Sequence, residues 1–399
     1  VLRSHRFLCG RTSHPGGPSM LITDVQAVLL TTPYGVEGAH IDKRCACFVE
    51  VHTDEGVVGL GETYSGVYFP ELSVQITEFF KPFLLGRDIT NPNKAYRDCY
   101  WVSSYAGRSG PTVMVLGAIE CALWDALGQY RGAPVHELLG GAVHERLPMY
   151  ASGGVPHLSI PQLQDQARRV RDQGFHGFKM RANLFKYQPE VECERVAAVR
   201  EALGPDRMLA MDAVQNFNLQ PWSLKQIVRM LEMLEPHDLG WAEEFLPPFD
   251  PAPYAELRQM TSIPITGGEG ITTFSTFEQW LRAGAFDIAQ PDATIIGGIG
   301  EARRACEAAA ARHTQVAMHV WGSAPTIAAN YHLAFTQPNC IWLERPVMNN
   351  PLEDEMFIEP LPIADGHCLP PAGPGLGVRL TDELKAKYPY QPGSASLFG

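Results

Sequence analysis

Eight short apolar runs between residues 150 and 344 almost all end, on their carboxyl side, in an ionisable residue: Lys179 and Arg181, Asp212, Glu243, Glu269, Asp292, His319, Glu344. Taken singly, each reads as a solvated strand end or a helix cap. The repetition changes that, because charges gathered at one place cost several kcal/mol unless a cation or each other neutralises them. Asp212, Glu243 and Glu269 are three consecutive carboxylates with no fixed cation expected nearby except Lys179. They are hard oxygen donors of the kind that hold Mg²⁺ while leaving positions for water and substrate. A proton next to a carboxylate is very weakly acidic, and a divalent cation on the carboxylate oxygens stabilises the enediolate left when it is removed. His319 is the candidate base, oriented by Asp292 one strand earlier so that one tautomer is fixed. A lone histidine would more often be a surface or packed residue, and the chain has 13. Glu344 has two readings: a carboxyl kept protonated by its neighbours that donates to the same substrate oxygens, or a solvated strand end.

The elements that must carry these residues follow from periodicity. Strand ends fall at Tyr150 to Gly153, Phe178 to Arg181, Ala210 to Val214, Trp241 to Glu244, Ile265 to Glu269, Ile288 to Asp292, Val316 to His319 and Ile341 to Glu344. Amphipathic helices lie between them, for example Leu163 to Asp172, Val191 to Leu203 and Ala302 to Arg312. Eight repeats at roughly 23 to 33 residues suit a closed (β/α)₈ barrel better than an open doubly wound sheet, and they bring the charged ends to one mouth. Ahead of the barrel, Leu21 to Leu30, Cys45 to His52 and Val57 to Gly61, with a turn at Asp54-Glu55-Gly56, read as an antiparallel sheet. Helical spacing follows between Pro70 and Tyr130, with Val113, Leu116, Ile119, Leu123 and Leu127 on one stripe. The expected architecture is therefore an α/β barrel over residues 146–358, an α+β capping domain over 20–145, and a Pro- and Gly-rich segment, 359–399, that returns to the capping domain.

Bulk properties narrow the classes. At 399 residues and 45% apolar, the chain can bury a barrel and a second domain. A net charge of −12 with no concentrated basic run excludes nucleic acid as the main partner. No run approaches the roughly 18 consecutive apolar residues of a membrane span, so no membrane partner is expected. The nine cysteines are scattered, with Cys45 and Cys47 on one face of a strand, and fit reduced thiols in a cytoplasmic compartment. Residues 1–19 hold Arg3, Arg6 and Arg11 and no acidic residue, and lack the apolar core of a secretory signal. They read as a tag, upstream translation, a transit segment or a disordered extension ahead of Met20, and are set aside.

From Met20 onward the chain resembles the mandelate racemase subgroup of the enolase superfamily. The resemblance rests on Lys179-Met180-Arg181, Met211-Asp212-Ala213, Trp241-Ala242-Glu243-Glu244, Gly267-Gly268-Glu269, Gln290-Pro291-Asp292, Met318-His319-Val320-Trp321-Gly322 and Leu343-Glu344-Arg345-Pro346. Gly59-Leu60-Gly61-Glu62, Ala122-Leu123-Trp124-Asp125, Leu138-Leu139-Gly140-Gly141 and Gly373-Pro374-Gly375-Leu376-Gly377 are similar as well. It implies a TIM-like barrel with an N-terminal capping domain, Mg²⁺ on Asp212, Glu243 and Glu269, and an Asp292–His319 dyad.

Two departures shape the expected reaction. Arg181 stands where a second lysine is usual, and a guanidinium that stays charged is a poor base. Two-base racemisation is thereby disfavoured: Lys179 and Arg181 would hold the substrate carboxylate or leaving group, while His319 removes the α-proton and then protonates the departing β-hydroxyl. Phe245 replaces the common proline after Glu243-Glu244, as in acid-sugar dehydratase variants. Val214 replaces a polar residue, leaving Gln215 or Asn216 to supply a contact. The expected function is Mg²⁺-dependent dehydration of a small sugar acid to a 2-keto-3-deoxy acid by a homo-oligomer. The alternatives are an epimerase, a racemase or a lactone-forming cycloisomerase, and, from another class, a non-catalytic binding protein on an inherited barrel. The loops Tyr34 to Arg44 and Glu62 to Glu71 are expected to close over the mouth, with His40, Arg44, Tyr64 and Trp321 touching the substrate. Gly297-Gly298-Ile299-Gly300 and Gly373 to Gly377 read as tight turns rather than phosphate cradles, since neither lies in a strand, G-x-G-x-x-G, helix unit.

Overall fold

The computed structural model describes residues 20–35, 43–183 and 186–393. His40 and the first nineteen residues lie outside them. Three antiparallel strands open the fold: β1 (Ile22–Pro33), β2 (Lys43–Thr53) and β3 (Val58–Thr63), in the order β1-β2-β3. The helix Pro111–Arg131 packs across this sheet so closely that a Cβ on Gly59 or Gly61 would stand 2.0 Å from the carbonyl oxygen of Ala122 or Ala118. That contact is the physical reason for Gly-Leu-Gly at this point. Among the described residues this helix alone has the length and apolarity to cross a membrane, and 78% of its apolar window is buried inside the protein. The eight described cysteines form no disulfide among themselves.

Eight parallel strands then form a closed barrel: β4 (Leu147–Gly153), β5 (Gly177–Arg181), β6 (Met208–Asp212), β7 (Leu239–Glu243), β8 (Ile265–Gly267), β9 (Ile288–Ala289), β10 (Gln315–Met318) and β11 (Cys340–Pro346), with β11 pairing back on β4. Tyr150, Ala210, Trp241, Ile288 and Ala317 fill its interior. Because side chains alternate along a strand, Glu243 points inward like Trp241 two residues before it, and the Trp241 indole N–H donates to Glu243 Oε2 at 2.8 Å. The expected strand ends are overlong on one side: Glu269, Asp292 and His319 stand two, three and one residues beyond β8, β9 and β10.

Buried carboxylates tie the layers together. Asp125 accepts the N–H groups of Leu60 (2.8 Å) and Leu376 (2.7 Å), joining the first sheet, the central helix and the C-terminal segment. Gly375 is in the left-handed region, and a Cβ there would meet Asp125 Oδ1 at 2.2 Å, so this glycine run serves packing. Farther along, Lys385 pairs with Glu50 at 2.8 Å and the Gln391 N–H donates to Thr31 Oγ1. Glu120 accepts from Trp124 Nε1 (2.7 Å), the Ile299 N–H (2.8 Å) and the Gly300 N–H (3.0 Å), so a carboxylate of this protein already caps the helix that follows Gly297-Gly298. Glu120→Ala strands two buried donors and one half-buried donor. A destabilisation of about 3 kcal/mol is expected, read as a lowered urea midpoint with an unchanged m-value.

A second internal contact makes stability depend on pH. His332, in the helix Ala324–Phe335, accepts the His136 backbone N–H on Nδ1 at 3.2 Å, and the two rings stack 5.3 Å apart. Burial, then the neighbouring His136, pushes His332 down to about 3. Unfolded, the same ring protonates near pH 6.5. The stability of the neutral pair is therefore present above about pH 6.5 and lost progressively as pH falls toward 3. The melting temperature is expected to drop between pH 7 and 5, with a shallower drop in His332→Gln. An equal slope in that variant contradicts this assignment.

Candidate active site

At the carboxyl end of the barrel, Lys179 and Arg181 rise from β5, Asp212 from β6, Glu243 from β7 and Glu344 from β11, and the loops just beyond β8, β9 and β10 add Glu269, Asp292 and His319. The His319–Asp292 pair is built: His319 Nδ1 lies 2.8 Å from Asp292 Oδ2. Asp292 Oδ1 accepts from the Thr294 N–H (2.7 Å), Thr294 Oγ1 (2.8 Å) and Asn330 Nδ2 (3.0 Å), so the carboxylate cannot turn away. With Nδ1 engaged, His319 presents Nε2 to Glu269 Oε2 at 3.4 Å. Burial lowers the His319 pKa, but Glu269 and the Asp292 hydrogen bond outweigh it and raise it to about 9.

Lys179 is 2% exposed and lies 2.5 Å from Glu243 Oε1 and 2.9 Å from Glu344 Oε1. Burial works against its charge, yet the two carboxylates hold its pKa well above the usual lysine value. Glu344 also accepts the Val320 N–H at 2.8 Å. Burial pushes Glu344 up, but Lys179 and His319 bring it below its ordinary value. Its complete burial corrects the reading of Glu344 as a solvated strand end, and Lys179 reaches it past β4, the strand between them. Glu243 is framed on three sides by Lys179, Trp241 and Gln290, whose Nε2 donates to Oε2 at 2.7 Å.

Arg181 corrects the expectation that Lys179 alone stands near the carboxylates. Its Nε lies 3.9 Å from Asp212 Oδ2, and its guanidinium stacks 4.3 Å from the Trp321 ring centroid. Arg44 donates to the Trp321 carbonyl oxygen at 3.2 Å and lies over the rings of Tyr34 (5.0 Å) and Tyr64 (5.6 Å). Tyr64 in turn stands edge-on to His319 at 6.3 Å. Arg44, Tyr64 and Trp321 thus converge with Arg181 on one side of the mouth. Gln215 is spent on its own turn, donating to the Ala213 carbonyl and accepting from Asn218 and the Trp222 N–H.

Sequence reading missed Glu244, whose signal was the Glu-Glu pair itself. It follows β7 in the left-handed region (φ 45), is fully buried, and neither carboxylate oxygen has a hydrogen-bond partner. Burial, then Glu269, Asp212 and Glu243, push its pKa well above the carboxylate range; burial and Glu243 push Asp212 up to about 8. Asp212, Glu243, Glu244 and Glu269 therefore gather four carboxylates in one place, with both oxygens of Glu244 unpartnered. Such a donor set fits a hard divalent cation. Among the described residues no three His, Cys, Asp or Glu side chains are already drawn together at ligand distance.

A closed eightfold barrel under an α+β cap, with charged residues at its carboxyl end, defines the enolase-like class of barrel proteins. Residues 21–140 match the mandelate racemase / muconate lactonizing enzyme N-terminal domain and residues 162–384 the enolase C-terminal domain-like family, and the chain belongs to this family. It is 30% identical over 386 residues to D-galactarolactone cycloisomerase of Agrobacterium fabrum, covering 92% of this chain and 99% of that enzyme. It is 31% identical over 345 residues to L-talarate/galactarate dehydratase of Salmonella typhimurium, covering 84% and 80%. The crystal structure of L-talarate dehydratase from Polaromonas sp. JS666 complexed with Mg and L-glucarate superposes with a TM-score of 0.80 at 29% identity, covering 92% of this chain and 97% of that one. The relatives are lyases and isomerases.

Proposed function

We propose that this protein is a Mg²⁺-dependent sugar-acid dehydratase, a lyase in which His319 is the only acid-base group. The observation that carries this reading is the His319–Asp292 contact at 2.8 Å beside Glu269, at a barrel end whose two cations are poor bases. Lys179 is held charged by Glu243 and Glu344, and Arg181 is a guanidinium. Relatives named as dehydratases, one of them solved with Mg and a sugar acid, support the same reading.

Asp212, Glu243 and Glu269, with Glu244 beside them, are the residues proposed to hold Mg²⁺. When bound, the cation supplies the positive charge that makes a proton next to a carboxylate removable at neutral pH. Lys179 and Arg181 orient the substrate carboxylate. With Glu269 occupied by the cation and so no longer holding the ring protonated, His319 Nε2 would take the α-proton, and its imidazolium, steadied by Asp292, would return that proton to the β-hydroxyl, which departs as water. The enol so formed ketonises to the 2-keto-3-deoxy acid. Arg44, Tyr64 and Trp321 are proposed to face the distal hydroxyl groups.

Incubation with a library of sugar acids, assayed for 2-keto product with and without EDTA, tests this directly. One or a few acids are expected to give product, and only with divalent cation present. Racemisation or lactone opening without 2-keto product would instead favour the isomerase alternative, which the cycloisomerase relative keeps specific.

A further inference from the structure

At the opposite end of the barrel, the C-terminal segment returns as a hairpin, β12 (Ile363–Ala364) and β13 (His367–Cys368), with β13 paired to β4. Asp365 (φ 49) and Gly366 (φ 70) form its two-residue turn, the left-handed pair that suits a tight hairpin. The turn is pressed against the loop before β5: a Cβ on Gly366 would stand 2.0 Å from the Gly174 carbonyl oxygen. Glycine is required there, and the close approach brings His367 against His176. The two rings have centroids 4.3 Å apart.

Three atoms then form a nearly equilateral triangle. His176 Nε2 lies 3.1 Å from His367 Nδ1 and 3.0 Å from the Asp365 carbonyl oxygen, and His367 Nδ1 lies 2.9 Å from that same oxygen. Hydrogen bonding cannot satisfy all three edges. The carbonyl has no proton, and each ring nitrogen carries at most one. If both nitrogens donate to the oxygen, the 3.1 Å edge between them carries no hydrogen bond; if one accepts, the oxygen loses a donor. A single cation over the triangle makes all three contacts favourable. Donors at about 2.1 Å from a metal are about 3.0 Å apart when cis in an octahedron and about 3.4 Å apart in a tetrahedron, so the observed edges suit an octahedral face.

We infer that His176 Nε2, His367 Nδ1 and the Asp365 carbonyl oxygen form a second cation site, for a borderline divalent ion such as Ni²⁺ or Zn²⁺, that staples the C-terminal hairpin to the floor of the barrel. Two imidazole donors favour such ions over Mg²⁺, which demands oxygen. The rings are half-buried and Asp365 is exposed, leaving an approach from solvent and room for water ligands. Burial, with His367 and Arg207 nearby, holds His176 below the usual histidine pKa against the pull of the Asp365 carbonyl, which favours the neutral ring that a metal needs. The Arg207 guanidinium is itself bonded to the Phe175 and Arg171 carbonyl oxygens.

Calorimetric titration of NiCl₂ and ZnCl₂ into the full, tag-free chain saturated with Mg²⁺ tests the site without recourse to activity. One equivalent is expected to bind with micromolar affinity and to raise the melting temperature. His176→Gln and His367→Gln are each expected to weaken binding at least tenfold while keeping the wild-type circular dichroism and metal-free melting temperature. Asp365→Asn, which keeps the backbone carbonyl and tolerates positive φ, is expected to bind as wild type. Absence of saturable binding, unchanged binding in both histidine variants, or loss of binding in Asp365→Asn overturns the inference.

Discussion

His319→Asn is expected to lose turnover by roughly 10²–10⁴-fold while still binding Mg²⁺ and substrate. Asparagine removes the ring nitrogen that faces the cleft and leaves the carboxylates of β6, β7 and the β8 loop untouched. It also leaves Asp292 held by Thr294 and Asn330, so the surroundings should not collapse. Steady-state kinetics with calorimetric measurement of Mg²⁺ affinity separates the two effects. Loss of metal affinity equal to the loss of rate would show that the variant damages the cation site and that His319 is not the base.

Removing the cation should have an effect as large. Asp212, Glu243 and Glu244 are buried, Glu269 is half-buried beside them, and Glu244 has no hydrogen-bond partner for either oxygen. The site therefore carries more negative charge than Lys179 and Arg181 offset. EDTA is expected to abolish activity and Mg²⁺ to restore it. Asp212→Ala and Glu269→Ala should each weaken Mg²⁺ binding by more than the roughly 10–100-fold typical of outer-shell changes, and remove activity. Full activity in metal-free buffer contradicts the proposed cation site.

The barrel was legible because its strands are short apolar runs that end in charge, a pattern that survives without any long-range information. The strand limits were less so. Asp292 was read as ending a strand, whereas β9 stops at Ala289 and Asp292 caps the short helix Ala293–Ile296 by accepting the Thr294 N–H. Charge partners were the least legible. Lys179 and Glu344 are 165 residues apart in sequence and 2.9 Å apart in the fold, so the cation beside Glu344 follows from barrel closure and not from its neighbours in the chain. Asn330 and Gln290 are similar: each is a polar residue in a buried apolar run, with no local sign that it orients Asp292 or Glu243. The glycines of Gly59-Leu60-Gly61 gave a motif without a cause until the helix Pro111–Arg131 was seen lying on them. Of the residues expected to touch substrate, Arg44, Tyr64 and Trp321 lie together at the mouth, and His40 falls outside the described residues.

The claim that one histidine does all the proton chemistry is tested most directly by exchange of the substrate α-proton with solvent deuterium, followed by ¹H NMR for wild type and His319→Asn in Mg²⁺. Wild type should exchange that proton or lose it on the way to a 2-keto product, and the variant should do neither at a measurable rate. Exchange by His319→Asn close to the wild-type rate would contradict the account and move the base to Lys179 or another residue.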